Sequence, residues 1–282
     1  MNRFENLNGV SIGALQRQIA LDLLEIRILL CFALGLSRTQ LITQSERTLT
    51  EAEVQRLSAL IQRRLDGEPI AYITGEREFY GLPFRVSPAV LIPRPETELL
   101  VDLALERLPQ GGSVLDMGTG SGAIAVAIAH ARPDAQVSAL DLSPAALTVA
   151  QENAVRILPA ARLPIRFLSG NWYAGLEEGE RFDLIVANPP YISVTDAHLS
   201  QGDLRFEPTA ALTDGAGGLS ALQAIAAGAS NHLNPGGWLL LEHGFDQAKS
   251  VRNLLIDSGF SEPRCWQDLA GIDRISGGKL SC

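Results

Sequence analysis

Val114-Leu115-Asp116-Met117-Gly118-Thr119-Gly120-Ser121-Gly122-Ala123-Ile124-Ala125 passes from a short apolar run, through three alternating glycines, into an alanine-rich apolar stretch. The order is that of a strand, Ser113–Met117, a tight turn and a helix, Ala123–Ala131. Glycines let such a turn bend through left-handed backbone, and they let a ligand lie against bare peptide at the carboxyl end of a strand, where open α/β sheets bind ligands. Downstream the same rhythm repeats: Gln136–Leu140 then Ala145–Ile157, Ile165–Leu168, Phe182–Ala187, Leu219–Leu233 then Trp238–Glu242, and Gln247–Ser258 before a last pair around Arg264–Gln267 and Arg274–Gly277. Short apolar strands alternating with helices predict a doubly wound α/β fold, a parallel sheet covered on both faces.

Upstream the pattern differs. From Ser11 to about Asp66 apolar residues recur at three and four, as in Leu21, Leu24, Ile28 and in Leu57, Leu60, Ile61, Leu65, which predicts two or three short helices. Thr50 followed by Glu53 is a capping-box pair opening the last of them, and Gly67 closes it. Between Ile70 and Arg94 aromatic and β-branched residues are punctuated by glycine and proline, as in a hairpin-like linker. Helical pattern returns at Glu96–Leu108, and Pro109-Gln110-Gly111-Gly112 turns the chain into the sheet. The expected organisation is a helical bundle over residues 1–69, a hairpin linker over 70–95 and a catalytic domain over 96–282.

Composition narrows the class. The 282 residues are 46% hydrophobic and 20% charged, which argues against disorder, collagen-like repeats and coiled coil. Thirty-two acidic against 23 basic side chains leave −9, a balance that repels nucleic acid in bulk. Cys31, Cys265 and Cys282 are too few and too scattered for a disulfide framework or a paired-cysteine metal site, and His130, His198, His232 and His243 lack metal-ligand spacing, so no metal is expected. The N-terminal MNRFENLNG lacks the apolar run of an export signal, and the uncharged stretch Gly215–Leu241 is broken by Asn231, His232, Asn234, Pro235 and paired glycines, so no membrane span is expected. A reducing cytoplasm is the default.

Two motifs carry chemistry. Asp141 ends the second strand, 19 residues past Gly122, where a carboxylate can accept both hydroxyls of a ribose. A glycine turn alone is also met as plain strand-to-helix packing. Here the glycines at 118, 120 and 122 fall closer together than in the dinucleotide fingerprint, and Asp116 just upstream disfavours pyrophosphate while suiting a cation. S-adenosylmethionine, with a sulfonium, an ammonium, a ribose and no phosphate, fits that pattern. Asn171-Trp172 follows the strand Ile165–Leu168, where Trp172 could stack on an adenine ring and Asn171 could hydrogen-bond it. An aromatic there is equally often core.

The second motif is Asn188-Pro189-Pro190-Tyr191, directly after Phe182–Ala187. Neither proline has an N–H, and the residue before each is pushed to extended backbone, so carbonyls are left exposed. The Asn188 side-chain oxygen and the Pro189 carbonyl can accept the two hydrogens of one planar –NH₂ group, with the Tyr191 ring over its flat face. Such a group is a poor nucleophile because its lone pair is delocalised. Two acceptors favour charge on the nitrogen as it pyramidalises and aim its lone pair at a methyl group. Glu242, at the end of Trp238–Glu242, reads as a structural carboxylate.

Together these residues resemble the S-adenosylmethionine-dependent release factor glutamine methyltransferase family. Besides the glycine turn and the Asn-Pro-Pro-Tyr motif, the resemblance rests on Gly67–Tyr72, Arg77–Tyr80, Leu91–Glu98, Arg205–Pro208 and Leu239–Gly244. It implies a Rossmann-like class I methyltransferase sheet behind a helical module. It also implies methylation of the glutamine side-chain amide in the Gly-Gly-Gln motif of bacterial class I peptide chain release factors, with S-adenosylhomocysteine as product. On that resemblance Gly118, Thr119, Gly120, Ser121, Gly122, Asp141, Asn171 and Trp172 hold the cofactor, Asn188 touches cofactor and target, and Pro189, Pro190 and Tyr191 clamp the amide. Asn171 departs from the acidic residue that similar sequences often carry before the tryptophan. A monomer with no direct nucleic-acid partner is expected. A nucleic-acid adenine methyltransferase presents the same amine geometry, and an inactive module binding a translation factor shares the helical half; a nicotinamide enzyme is disfavoured by the glycine spacing.

Overall fold

The computed structural model describes residues 9–160 and 164–281, which form two compact units, one up to Gly75 and one from Glu76. The N-terminal residues read above for an export signal, apart from Gly9, and Cys282 lie outside the described residues.

The first unit contains α1 (Ile12–Gln18), α2 (Leu23–Leu34), α3 (Arg38–Thr43), α4 (Glu51–Leu65) and α5 (Ile70–Thr74), more helices than periodicity alone predicts. The division is local: Ser11, Asp22, Ser37 and Thr50 each accept a backbone N–H from two or three residues ahead, so each starts a helix of its own. On α2 the buried face is Ile26, Leu29, Leu30 and Ala33, whereas Leu24 is exposed. That helix is apolar nearly all round, so its sequence supports two competing stripes. The expected linker also divides. Ile73 is buried in the first unit's core with Ile70 packed against it, and the hairpin begins only at Glu76.

Thr50 and Glu53 form the expected reciprocal cap, with Thr50 N–H donating to Glu53 at 2.9 Å and Glu53 N–H to Thr50 Oγ1 at 3.4 Å. Gly67 closes the helix by donating to the Arg64 carbonyl at 2.9 Å.

In the second unit β1 (Glu76–Phe79) and β2 (Leu82–Arg85) form an antiparallel hairpin, and α6 (Glu98–Arg107) leads into the sheet. The sheet elements are β3 (Ser113–Met117), α7 (Ala123–Ala131), β4 (Gln136–Asp141), α8 (Pro144–Ile157), β5 (Arg166–Ser169), β6 (Phe182–Ala187), α9 (Thr209–Leu212), α10 (Ser220–His232), β7 (Leu233–Glu242), α11 (Ala248–Asp257), β8 (Phe260–Gln267) and β9 (Asp273–Leu280). Strand order is β5-β4-β3-β6-β7-β9-β8. The strands from β3 to β7 are parallel, but β9 is antiparallel to both neighbours, so the sheet is mixed rather than wholly parallel. Only a short turn joins β8 to β9, and a connection that brief can return the chain only antiparallel.

Alternation assigns the two faces. Val114, Leu184, Val186 and Leu240 join one core with α6, α7 and the hairpin's Phe79 and Phe84. Leu115, Met117, Ile185, Ala187, Leu239 and Leu241 join the other with α10 and α11.

Thr50→Ala is expected to destabilise the first unit by about 1 kcal/mol. Faster amide exchange along the first turns of α4 is the measurement that checks it.

Candidate active site

Register brings the two motifs together. Met117 at the end of β3 lies opposite Leu140 on one side and Ala187 on the other, so Gly118, Asp141 and Asn188 leave the sheet level with one another at its carboxyl edge. Gly118 and Thr119 N–H both donate to the Leu140 carbonyl, at 2.8 and 3.0 Å, and Gly122 N–H to the Thr119 carbonyl at 2.8 Å. The turn needs its glycines: 118, 120 and 122 have φ of +73°, +56° and +80°. A Cβ on Gly122 would also stand 3.0 Å from that of Ala150 on α8.

Asp141 Oδ2 accepts Gly120 N–H at 2.9 Å and Oδ1 accepts Ser143 N–H at 2.8 Å. Each oxygen keeps a further lone pair. Trp172 stands over the turn, its Cζ3 3.8 Å from where a Cβ on Gly118 would be, and holds the left-handed φ of +47° that side chains rarely adopt. Its neighbour Tyr173 anchors it by donating to the Ile225 carbonyl at 2.7 Å and stacking on His232. Asn171 is exposed and caps nothing with its side chain.

Asp116 departs from the simple expectation of a carboxylate facing a ligand. It is fully buried, and its Oδ2 accepts Thr119 Oγ1–H at 2.6 Å and Ala125 N–H at 3.2 Å. Thr119 therefore spends its hydroxyl hydrogen inside the turn. Asp116 Oδ1 is buried without a hydrogen-bond partner. An orphaned acceptor under the glycine turn suits a cationic or N–H-bearing ligand, as the cofactor's ammonium end would be.

At the second motif Asn188 Nδ2 donates to Thr97 Oγ1 at 3.2 Å, and Tyr191 donates its hydroxyl to Glu242 Oε1 at 3.3 Å. The Tyr191 carbonyl accepts from Gln247 Nε2 at 3.0 Å. Gly218 closes in from behind, where a Cβ would sit 2.2 Å from that carbonyl.

Sequence reasoning missed three supports. Asn153, buried on α8, donates to the Ser121 and Arg85 carbonyls at 2.9 and 3.0 Å and accepts Arg85 N–H at 2.7 Å, joining the glycine turn to the hairpin. Its signal was present: a lone polar residue on the alanine-lined face with Ala150 and Ala154. Glu207 is buried, accepts Ile92 N–H at 3.0 Å and pairs with Arg94, so Arg94 braces a loop while its charge also acts on Tyr191. Thr97 was quoted within a matching stretch without a role. Among the described residues no group of His, Cys, Asp and Glu could hold a metal ion.

Similarity to known proteins runs along nearly the whole chain. The family model described as the PrmC N-terminal domain matches residues 13–75, and the methyltransferase small domain matches 95–205. The release factor glutamine methyltransferase of Burkholderia pseudomallei is 56% identical over 94% of this chain and 95% of its own, and that of Neisseria gonorrhoeae 52% over 91% and 93%. The chain belongs to the release factor glutamine methyltransferase family. The fold is shared more widely. A methyltransferase from Pyrococcus furiosus superposes with TM-score 0.55 at 21% identity, over 80% of this chain and 100% of its own. The T. thermophilus 16S rRNA N2 G1207 methyltransferase, in complex with AdoMet and guanosine, does so with 0.54 at 23%, over 73% and 49%.

Two of the buried acids, Asp116 and Glu242, lie on strands β3 and β7 near their carboxyl ends. Desolvation pushes Asp116 up to about 7, against the pull of its bonds from Thr119 and Ala125, with the charge of Asp141 raising it further. Glu242 is likewise raised to about 7, by burial first, opposed by the Thr97 hydroxyl, the charge of Arg274 and the Tyr191 hydroxyl. Burial, with Glu242 beside it, also raises the Tyr191 phenol. Unfolded, both acids titrate near 4, so their acid forms favour folding. Their contribution is complete below about pH 4 and is lost as pH rises through about 7.

Asp116→Asn is expected to flatten that decline, so urea midpoints at pH 5 and pH 8 should differ less in the variant than in the parent. Gly228→Ala places a Cβ 2.3 Å from the Tyr173 ring. The clash should cost about 1–3 kcal/mol, and it should move Trp172 with its neighbour, read as a lower melting temperature with an altered near-ultraviolet tryptophan spectrum.

Proposed function

We propose that the protein transfers a methyl group from S-adenosylmethionine to the side-chain amide nitrogen, N5, of the glutamine in the Gly-Gly-Gln motif of bacterial class I peptide chain release factors. The observation that carries this reading is the orientation of Asn188. With Nδ2 committed to Thr97, its Oδ1 is left to accept from a substrate amine, beside a glycine turn suited to the cofactor. When bound, S-adenosylmethionine supplies an electrophilic methyl on sulfur and departs as S-adenosylhomocysteine.

The chain's own groups do the rest. Gly118, Gly120 and Gly122 offer bare backbone, with Thr119 and Ser121 contributing main chain. Asp141 uses its spare lone pairs for ribose hydroxyls, and Trp172 covers the adenine side, where the exposed Asn171 adds at most one edge contact. Asn188 Oδ1 and the Pro189 carbonyl hold the two amide N–H bonds, Pro190 keeps the turn extended, and the Tyr191 ring covers the amide plane. Charge developing on the amide nitrogen is met by fixed acceptors that need no reorganisation, which is where most of the acceleration arises. No dedicated base is needed before attack, because the leaving proton turns acidic only as the new N–C bond forms.

The helical unit, residues 1–69 with the segment to Gly75, docks the release factor, and the enzyme acts as a monomer in the cytoplasm. Up to Gly75 the chain carries eight acidic and eight basic residues, so the whole −9 falls in the second unit. Leu24, Phe32 and Ile42 are exposed on the first unit, at 59%, 49% and 73%. Neutrality with exposed apolar side chains favours docking by hydrophobic contact over docking by charge.

Asn188→Ala is expected to lower the turnover of a purified release factor at least about 100-fold, with the methyl absent from the Gly-Gly-Gln glutamine in mass spectra. Undiminished methylation by the variant would sink the proposal. Methyl transfer by the parent enzyme to DNA adenine, and none to release factor, would support the nucleic-acid reading instead.

A further inference from the structure

Glu242, 1% exposed, ends β7 behind the Asn-Pro-Pro-Tyr turn. Its Oε1 accepts the Tyr191 hydroxyl at 3.3 Å, and its Oε2 has no hydrogen-bond partner. Thr97, 4% exposed, brings a hydroxyl beside this carboxylate and with the same oxygen accepts Asn188 Nδ2–H at 3.2 Å. Arg274 from β9 and Glu96 from the turn before α6 are the other charges that act on Glu242.

Tyr191, Glu242, Thr97 and Asn188 form a line whose polarity is decided at Glu242. An ionised carboxylate has acceptors only, so any hydroxyl next to it must point its hydrogen inward. Thr97 has one hydrogen. If Glu242 takes it, the oxygen faces Asn188 with lone pairs alone, and the asparagine amide must present Nδ2 there and Oδ1 on the opposite side. Heavy-atom positions alone do not distinguish the two ends of an asparagine amide; the surrounding hydrogen bonds do.

Resting on the reading that Asn188 and Tyr191 clamp the target amide, we propose that Glu242 and Thr97 are positioning residues that set the direction of this hydrogen-bond chain. Their effect is that, while Glu242 is ionised, Asn188 offers the substrate –NH₂ an acceptor rather than a donor. With the opposite setting, Asn188 would turn N–H toward N–H, losing one of the two bonds that aim the nitrogen lone pair. Glutamine at 242 keeps the shape but brings a donor. Its –NH₂ can donate to Thr97 Oγ1, whose hydrogen is then free to point at Asn188 Oδ1, and the chain runs backwards.

The test uses the full-length enzyme with intact release factor and S-adenosylmethionine. Glu242→Gln should lower kcat about tenfold to a hundredfold, the scale of a misdirected reacting group, with KM for the release factor and the cofactor Kd changed less than about threefold. Thr97→Val, which removes the hydroxyl at constant shape, should match that loss, and Thr97→Ser should restore most of it. Because both act on Asn188 through one chain, Thr97→Val with Glu242→Gln should be no slower than the slower single variant. The direction holds only while Glu242 is ionised, so the parent kcat should fall in acid around neutrality, and that fall should be missing from Glu242→Gln. Parent-like kcat in Glu242→Gln, multiplicative losses in the double variant, or a loss residing in KM would each overturn the proposal. Melting temperatures identify any variant that simply fails to fold, and Thr97→Ser then carries the comparison with the parent. Full activity of Asn188→Ala would instead overturn the clamp itself. An inactive Asn188→Ala beside a fully active Glu242→Gln would overturn only the chain behind it.

Discussion

The Leu140 carbonyl accepts hydrogen bonds from two successive amides, Gly118 and Thr119, and the carboxyl edge of the sheet depends on that junction. It ties the end of β4 to the start of the glycine turn and so fixes Asp141 next to Gly120. The junction can form only because Met117, Leu140 and Ala187 lie level across three parallel strands. A slip of one residue in β4 would turn Val137 and Ala139 to the opposite face and move Asp141 away from the turn; the two-sided burial of the sheet forbids it. The register that fills both cores is thus the register that assembles the site.

Around this edge, polar side chains hold loops that no ladder reaches. Asn153 satisfies the backbone of both the hairpin and the glycine turn, Glu207 fastens the loop before α9 to the loop before α6, and Gln247 holds the carbonyls of Tyr191 and Gly218. Each is a long-range bond made by a buried or half-buried group, where the penalty for leaving either partner unmade exceeds the net gain from making it. The loops consequently have one arrangement that satisfies them. That is how flexible connections, rich in glycine and proline, come to present Asn188 and Trp172 at fixed places.

Strands β3 and β6 and helix α7 were legible to the residue, because an apolar run bounded by glycine, proline or charge admits one period and one pair of ends. The first unit was less so. Its helix starts depend on single side chains such as Asp22 and Ser37, and α2 is apolar enough that Ile26 and Leu29 are as good a stripe as Leu24 and Ile28. The antiparallel entry of β9 was hidden for another reason: strand order is a property of long-range pairing that the run Arg274–Gly277 does not encode locally. At the candidate site, the positions of Gly118, Asp141 and Asn188 at or just past level strand ends were readable because an apolar run stops before each of them. Asn153, Glu207 and Thr97 were not, because what each does depends on a partner 32 to 115 residues away.

Asp116 and Glu242 show where the fold gives up stability. Each is buried beneath one of the two motifs, each is raised to about 7, and each keeps one oxygen without a partner. An amide or an aliphatic side chain of like volume would pack there without the cost of desolvating a carboxylate. Among the described residues two other buried side-chain atoms lack a partner, Ser58 Oγ on α4 and Arg107 Nε on α6, and neither belongs to an acid. The two unpartnered carboxylate oxygens lie one under the glycine turn and one behind the proline turn. Perturbed acids gather where a site needs a fixed electrostatic direction before its ligands arrive. Asp116 spends that direction on the glycine turn itself, through Thr119 and Ala125, whereas Glu242 passes it to the proline turn through its bond from the Tyr191 hydroxyl and, on the proposal above, through Thr97 to Asn188.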